Sequence, residues 1–412
     1  MKTNLRLPEL LSPAGNFEKM KFALSYGADA VYLAGRSFGM RSAAGNFSDD
    51  DLKKAVKYVH ALNKKLYVTV NTMPRSSEMT ALEEYLTFLE EIRPDALIVA
   101  DLGVLSLAKR FAPHLDIHIS TQAAIVNHES CNMWYDLGAK RVVLARELSF
   151  EDIASIRQKS APSLEIETFI HGAMCVSFSG RCMLSEFYTN RDANRGSCTQ
   201  PCRWIYHFSE EKRLEEQLDA EFHAGEGTYI FGSKDMCMIE HVPDLINAGI
   251  SSLKIEGRMK SAYYTAAVSN CYRMCLDKYK LDPDSYVFDS SLLKELDSVS
   301  HREYCTGYYY GHPLSQPNLA SNSGYMKEKS FLAIVDEKLG EGIYKCTQKN
   351  KMTLNTAVEY LSPGYIGKKL DFQGLWDIEH TPIESTPHPQ MEFILKTSSD
   401  LKVGDILREA CN

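Results

Sequence analysis

The 412-residue chain contains no apolar run that reaches 18 residues, so no transmembrane helix is expected. Its N-terminus, MKTNLRLPELLSP, lacks the apolar stretch of a secretory leader. With its many unpaired cysteines, that points to a reducing cytoplasm. Three catalytic signatures are missing as well. There is no HExxH zinc motif and no GxSxG elbow, which makes a protease a poor physical reading. No GxGxxG follows an early strand-like run, which removes the usual dinucleotide site. Positive charge is not in excess either: 46 basic residues against 54 acidic ones give a net charge of −8. That argues against a general nucleic-acid binder, although one RNA needs only a local basic face. The length implies two or more domains, and 44 % hydrophobic with 24 % charged residues is ordinary for a globular protein.

What the chain does have is a concentration of cysteine. Cys175, Cys182, Cys198 and Cys202 put four of 11 cysteines into 28 residues, where an even spread would place fewer than one. Gly172, Gly180 and Gly196, with Asn190, Asp192 and Asn194, mark turns that bring thiols together. A fifth candidate, Cys237, follows in SKDMC. Three readings compete: small buried hydrophobes, a disulfide framework, and metal ligation. Core cysteines have no reason to cluster among glycines and charges, and a chain of this length needs no disulfide staples. Between metals, zinc sites favour paired knuckles, of which only 198/202 forms one. Thiolates spread over loops suit an iron–sulfur cluster at least as well. Cys198 and Cys202 are expected to ligate with Cys175 and Cys182, and Cys237 stands as the alternative to Cys202.

The first 280 residues repeat one rhythm, a short β-rich run followed by a helical stretch. The runs begin at 8, 30, 66, 96, 116, 141, 164 and 251. Eight such units predict an α/β fold, a (β/α)8 TIM-type barrel over 1–280, rather than an open doubly wound sheet. Ser48 precedes DDDLKK, a cap and acidic first turn that predict a helix start. After the seventh run the rhythm breaks, and about 78 residues pass before the eighth. This insertion, 173–249, carries the cysteines, a charged stretch (209–221), a strand-like TYIFGS and a helix from 238 to 249. Insertions after barrel strands sit at the C-terminal face, so this one should roof the barrel mouth. Residues 281–328 read as a connector whose tyrosines (YCTGYYYGH) pack rather than stack on bases. Short alternating runs from 329 to 412 predict a small C-terminal all-β barrel.

Polar residues at the C-terminal ends of barrel strands face the substrate. They are Ser12, Arg41 in the loop after the second run, Asn71, Asp101, Thr121, Gln122, Arg146, His171, Lys254, Glu256 and Arg258. Lys254, Glu256 and Arg258 alternate along one run and so face one side, an expensive charged row unless it binds or pairs. His171 is the side chain in the set that titrates near neutrality. Its competing role is structural.

The segment Glu167, Phe169, Gly172-Ala173-Met174-Cys175, Gly180, Cys182, Leu184 and Ser185 reproduces the signature of peptidase family U32, and NRGSCTQPCRW and SLKIEGRMKS resemble it too. The resemblance covers roughly 7–280 and, more weakly, the remainder. It implies an oxygen-sensitive 4Fe–4S cluster on these cysteines and, despite the family's name, hydroxylation chemistry. The branch this chain looks most like has a C-terminal extension and makes 5-hydroxyuridine at the tRNA wobble position using prephenate. The expected partners are therefore tRNA and prephenate, with a paralogous U32 subunit as a further candidate and no membrane. Prephenate carries two carboxylates, and arginine binds carboxylate bidentately, which makes Arg41, Arg146 and Arg258 candidate clamps, with Asn71 and Gln122 beside them. The competing reading of each arginine is a rim ion pair. His171, Glu256 and Lys254 are the candidate catalytic groups. Two other functions compete with tRNA hydroxylation: a U32-type peptidase or collagenase, and a non-enzymatic cluster-bearing redox or RNA-binding protein.

Overall fold

A computed structural model describes residues 7–42, 44–206, 232–311 and 325–410. The charged stretch 209–221 and all but the end of TYIFGS lie outside the described residues. In chain order the first elements are β1 (Glu9–Pro13), α1 (Phe17–Ser25), β2 (Ala30–Leu33), α2 (Asp49–Ala61), β3 (Lys65–Val70), α3 (Met79–Ile92), β4 (Ala96–Val99), α4 (Leu102–Phe111), β5 (Asp116–Ile119), α5 (His128–Asp136), β6 (Arg141–Val143) and α6 (Phe150–Lys159). There follow β7 (Glu165–Ala173), α7 (Leu184–Thr189), β8 (Asp235–Cys237), α8 (Val242–Asn247), β9 (Ser252–Ile255), α9 (Ala262–Leu281), α10 (Ser291–Asp297) and β10 (Tyr304–Cys305).

Strands β1 to β7 pair in parallel with their sequence neighbours, and β9 pairs in parallel with both β7 and β1. The eight strands therefore close into a TIM-type barrel, and all eight strand-like runs fall on them. The helices form for local reasons. Ser48 caps α2 in a reciprocal box with Asp51, and Leu52, Ala55, Val56 and Val59 fall on one buried face. The chain then departs from plain alternation. A register shift falls between Phe169 and His171, where His171 still pairs with Ile255 of β9, and Gly172 follows at φ 103° as the other edge of β7 changes partner. There it pairs antiparallel with β8, with His171 opposite Cys237, and β10 adds in parallel to β8. Residues 281–328, read from sequence as an unpatterned connector, thus supply α10 and β10.

Inside the barrel, Leu11, Ala30, Tyr32, Tyr67, Ala96 and Ile98 form an apolar cluster. Beside it lies a buried charge network. Arg141, 3 % exposed, pairs with Glu9 at 2.7 Å, Glu165 at 2.6 Å and Glu167 at 3.0 Å, and Glu167 also accepts from Lys254 Nζ at 2.8 Å. His118 packs edge-on to Tyr67 with ring centroids 4.7 Å apart. Burial, reinforced by the neighbouring Arg141 and Lys254 cations, holds its pKa well below the ordinary histidine value, so it is neutral.

By internal contacts the chain divides into two units, the first comprising residues 1–17, 29–259 and 301–325 and the second 18–28, 260–300 and 326–412. The second unit contains an antiparallel sheet of β11 (Phe331–Gly340), β12 (Ile343–Gln348), β13 (Val358–Leu361), β14 (Lys368–Lys369), β15 (Phe372–Trp376), β16 (Glu392–Thr397) and β17 (Ile406–Glu409). Their order is β14-β13-β17-β11-β12-β16-β15, curled over a core that includes Val335, Tyr344, Phe393 and Leu407. Within the same unit Arg408, 1 % exposed, donates to Glu295 Oε2 at 2.8 Å, Tyr263 Oη at 2.8 Å and Glu359 Oε2 at 3.1 Å.

Candidate active site

The pocket at the C-terminal end of the barrel strands measures about 560 Å³ out to its open mouth. Eight of the residues picked at strand ends line it: Arg41, Asn71, Thr121, Gln122, Arg146, Lys254, Glu256 and Arg258. Alternation along β9 and its extension puts Lys254, Glu256 and Arg258 on the pocket side, as the sequence pattern requires. Asp101 is placed elsewhere. It caps α4, accepting from the backbone of Gly103 at 2.8 Å and Val104 at 3.1 Å. His171 does not line the pocket: it is buried, 5.3 Å from the Tyr304 ring, where β7 runs between Ile255 of β9 and Cys237 of β8.

Charge decides the character of the pocket. Glu256 accepts from Tyr32 Oη at 3.1 Å and lies 3.6 Å from Arg41. Burial pushes its carboxyl up, but Arg41, Arg258 and Arg146 together hold it below the usual carboxylate range. Glu167, fully buried beneath, is likewise pushed up by burial and held down by Lys254 and Arg141. Lys254 lies 4.5 Å from the Tyr32 ring centre and 5.4 Å from that of Phe169, the latter ring also carrying Arg146 at 5.4 Å. Arg258, 3 % exposed, donates to Thr69 Oγ1 at 3.3 Å. Four cations line the pocket. Against them stand Glu256 in the lining and Glu167 below, which leaves an excess of two positive charges. Arg41 holds φ at 69°, an unfavourable value for a residue with a side chain, as sites that aim one group often do.

The insertion is fastened to the barrel's loops at several places. Gly180, φ 74°, passes so close to the Gln122 backbone that a Cβ would lie 2.2 Å from its oxygen. Gly196, φ 87°, lies against Gly39 and Met40, and its carbonyl accepts from Ser42 N at 3.0 Å. Arg195 holds Glu78 through two bonds of 2.7 and 2.9 Å, and Ser179 donates to Glu147 at 2.9 Å from its backbone. The loops after β2, β3, β5 and β6 are thus all bound to the cysteine segment.

Its thiols face the same arginines that line the pocket. Desolvation raises the Cys175 thiol, but Arg146, Arg41 and Arg203 outweigh it and hold it below the usual thiol range. Burial pushes the Cys202 thiol up to about 11, with Cys175 and Cys198 close enough to add to the shift. Arg41 in turn feels both Cys175 and Cys198. Cys182, partly exposed, stands before α7, and Cys237 is buried on β8. Among the described residues no three His, Cys, Asp or Glu side chains converge closely enough to hold a single metal ion. Cys175, Cys198 and Cys202 lie within electrostatic reach of one another or of Arg41, Arg146 and Arg203, and thiolates beside guanidiniums are the donor chemistry an anionic thiolate-bound group calls for. Tyr32, Thr69, Ser120 and Phe169 also line the pocket and were not singled out from the sequence as site residues. Thr69, Ser120 and Phe169 each sit two residues before a chosen position, Asn71, Gln122 and His171, and Tyr32 lies inside a strand that reads simply as apolar.

A closed parallel barrel with a basic mouth, roofed by an insertion that presents cysteines to that mouth, defines a class of enzyme-like scaffold. The chain belongs to peptidase family U32, which matches residues 15–318, and residues 327–408 match that family's C-terminal domain. It is 36 % identical over 405 residues to tRNA hydroxylation protein P1 of Bacillus subtilis, covering 98 % of this chain and 94 % of that protein. It is 40 % identical over 363 residues to tRNA hydroxylation protein P of Helicobacter pylori, covering 86 % and 83 %. A 23S rRNA 5-hydroxycytidine C2501 synthase of Escherichia coli is 38 % identical over 269 residues, 65 % of this chain and 39 % of that protein. Among the described residues no helix is long and apolar enough to cross a membrane.

Proposed function

We propose that this protein is an RNA-hydroxylating enzyme, acting on the wobble uridine of tRNA to give 5-hydroxyuridine, with a 4Fe–4S cluster and prephenate as co-substrate. The observation that carries the reading is the meeting of Cys175, Cys198 and Cys202 with Arg41, Arg146 and Arg203 above a pocket with two surplus positive charges. A dicarboxylate matches that surplus, and guanidinium forks suit its geometry. Arg41, Arg146 and Arg258 would bind the two carboxylates, and Asn71 and Gln122 would orient the remainder. Glu256, held ionised by its arginines, stands in the proton-accepting form, and the same cations make it a weak base. Lys254, fixed by Glu167 and the Tyr32 ring, supplies a positive charge at the floor. His171 lies behind the pocket wall, so we assign proton handling to Glu256 and Lys254. Cys175, Cys198 and Cys202 would hold the cluster, with Cys182 or Cys237 as the fourth ligand, and the cluster when bound would supply redox chemistry. Such a thiol-rich site belongs in a reducing compartment.

The test is an anaerobic preparation with iron, sulfide and zinc counted per chain, paired with nucleoside analysis of tRNA from a deletion strain. The expected result is about four irons and four sulfides, lost in Cys175→Ala, with 5-hydroxyuridine absent from the strain and restored by the intact gene. Stoichiometric zinc without sulfide, or unchanged 5-hydroxyuridine, would overturn the reading.

A further inference from the structure

The insertion carries a second surface that the pocket does not use. Phe187 is 81 % exposed, Met183 62 %, Tyr188 48 % and Trp204 42 %, all within a short span around the cysteines. Large apolar side chains gathered on a surface call for an explanation that scattered ones do not. The rings form a connected group: Phe187 meets Tyr188 edge-on at 5.3 Å, and Tyr188 lies 6.4 Å from Trp204 and 6.1 Å from Tyr206. Tyr206 in turn donates to Pro201 O at 2.8 Å, beside Cys202. The group is held rather than loose. Ser185 Oγ accepts from Thr199 N at 3.1 Å, and Thr189 Oγ1 lies 3.2 Å from Thr199 Oγ1, which ties α7 to the 198–202 segment.

Its charge differs in sign from that of the chain as a whole. Residues 178–206 contain Arg181, Arg191, Arg195 and Arg203 against Glu186 and Asp192, and with Arg195 paired to Glu78 one positive charge is left over in a chain of net −8. Arg203 stands between Cys202 and Trp204 in the chain, and its guanidinium sits 5.9 Å from the centre of the half-exposed Tyr325 ring.

We propose that Phe187, Tyr188 and Trp204, with Arg203, form a stacking platform for unpaired bases of an RNA loop, which holds the loop while one base enters the barrel mouth. The inference rests on the RNA reading above and deepens it by naming the structural class of RNA: a single-stranded loop rather than a duplex. Exposed aromatic faces bind unstacked bases, and interleaved arginines meet the phosphates. A second copy of this chain is the poorer occupant. A two-fold interface would set this positive patch against itself.

The test uses the full-length protein, a hairpin RNA with a uridine-containing loop, and a blunt duplex of the same length, in a titration at fixed salt. The intact protein is expected to prefer the hairpin. Phe187→Ala and Trp204→Ala should each weaken hairpin binding about 5- to 150-fold, the range for losing one stacked base, and Phe187→Tyr should bind nearly as the parent does. Circular dichroism and iron content unchanged in the alanine variants would exclude loss of fold. Hairpin affinity within about twofold of the parent in both alanine variants overturns the platform, as does a dimer that these variants break without changing RNA binding. The two readings fail separately. Normal 5-hydroxyuridine with unaltered RNA binding in Phe187→Ala removes the platform alone, and platform-dependent binding without any 5-hydroxyuridine removes the hydroxylase alone.

Discussion

Replacing Glu167 with glutamine keeps its shape and removes one charge from the centre of the barrel. Glu167 has no exposed surface, accepts from Lys254 at 2.8 Å and Arg141 at 3.0 Å, and belongs to the ladder between β6 and β9. Arg141 keeps Glu9 and Glu165, so its charge stays matched. Glu167 is the carboxylate paired with Lys254, whose other neighbours are the Tyr32 and Phe169 rings. Removing one partner of a buried pair costs about 3–5 kcal/mol, and because glutamine still accepts one hydrogen bond, roughly 3 kcal/mol is expected. Lys254→Met made together with Glu167→Gln should recover part of that loss, giving a coupling of at least about 1.5 kcal/mol in a double-mutant cycle. Acid unfolding gives an independent check. The folded carboxyl lies below its unfolded value, so its contribution is complete above about pH 4.3 and is lost as pH falls through the folded value. Glu167→Gln should abolish that part of the pH dependence. Urea unfolding followed by circular dichroism measures all of this. A single-variant cost under about 1 kcal/mol, or singles that add within about 0.5 kcal/mol, would refute the reasoning.

Three further outcomes are expected. Gly180→Ala places a Cβ 2.2 Å from the Gln122 oxygen at a left-handed backbone position, so the cysteine loop must shift; iron retained after anaerobic gel filtration should fall while the far-ultraviolet spectrum of the barrel stays as in the parent. Arg146→Ala removes the cation that does most to lower the Cys175 thiol, so the pH midpoint for iodoacetamide alkylation of cluster-free protein should rise, and an unchanged midpoint would exclude Arg146 from that role. The hydrogen bonds from Arg195, backed by the Arg75 backbone, hold the Glu78 carboxyl down at about 2. This exposed latch on the insertion therefore persists through mild acid and is lost as pH falls from about 4.3 towards 2. Limited proteolysis of the 190–206 segment should accelerate in that window in the parent, and already at neutral pH in Arg195→Ala.

The barrel was legible in the sequence because its strands are buried on both faces, so each reads as a compact apolar run whatever its neighbours do. The polar strand ends were legible for the converse reason: Arg41, Arg146 and Arg258 interrupt that pattern at one end. What escaped depends on pairings across the chain. Glu9 and Arg141 are 132 positions apart and look like ordinary strand-flanking charges until β1 and β6 face each other inside the barrel. Nothing local announces that β7 outlasts the barrel and takes β8 as an antiparallel partner, because three residues carry too little periodicity to declare a strand. The tyrosines near 308–310 attracted attention as a group. Of these Tyr309 is buried and bonded to the Phe169 carbonyl and Tyr310 is bonded to Asp244, whereas the exposed Phe187, Tyr188 and Trp204 are dispersed among the cysteines, where no aromatic run marks them.

The fastening of the cysteine segment to the loops after β2, β3, β5 and β6 has a thermodynamic consequence. Strand β9, which completes the barrel, follows the insertion in the chain and pairs with β1 across more than two hundred residues, so closing the cylinder and gathering the thiols are parts of one cooperative event. A group held across Cys175, Cys198 and Cys202, as proposed above, would therefore draw its affinity partly from barrel closure and return it as resistance to unfolding. Occupancy and folding become two readings of the same equilibrium, and thiols that fail to converge report a cylinder that has not closed.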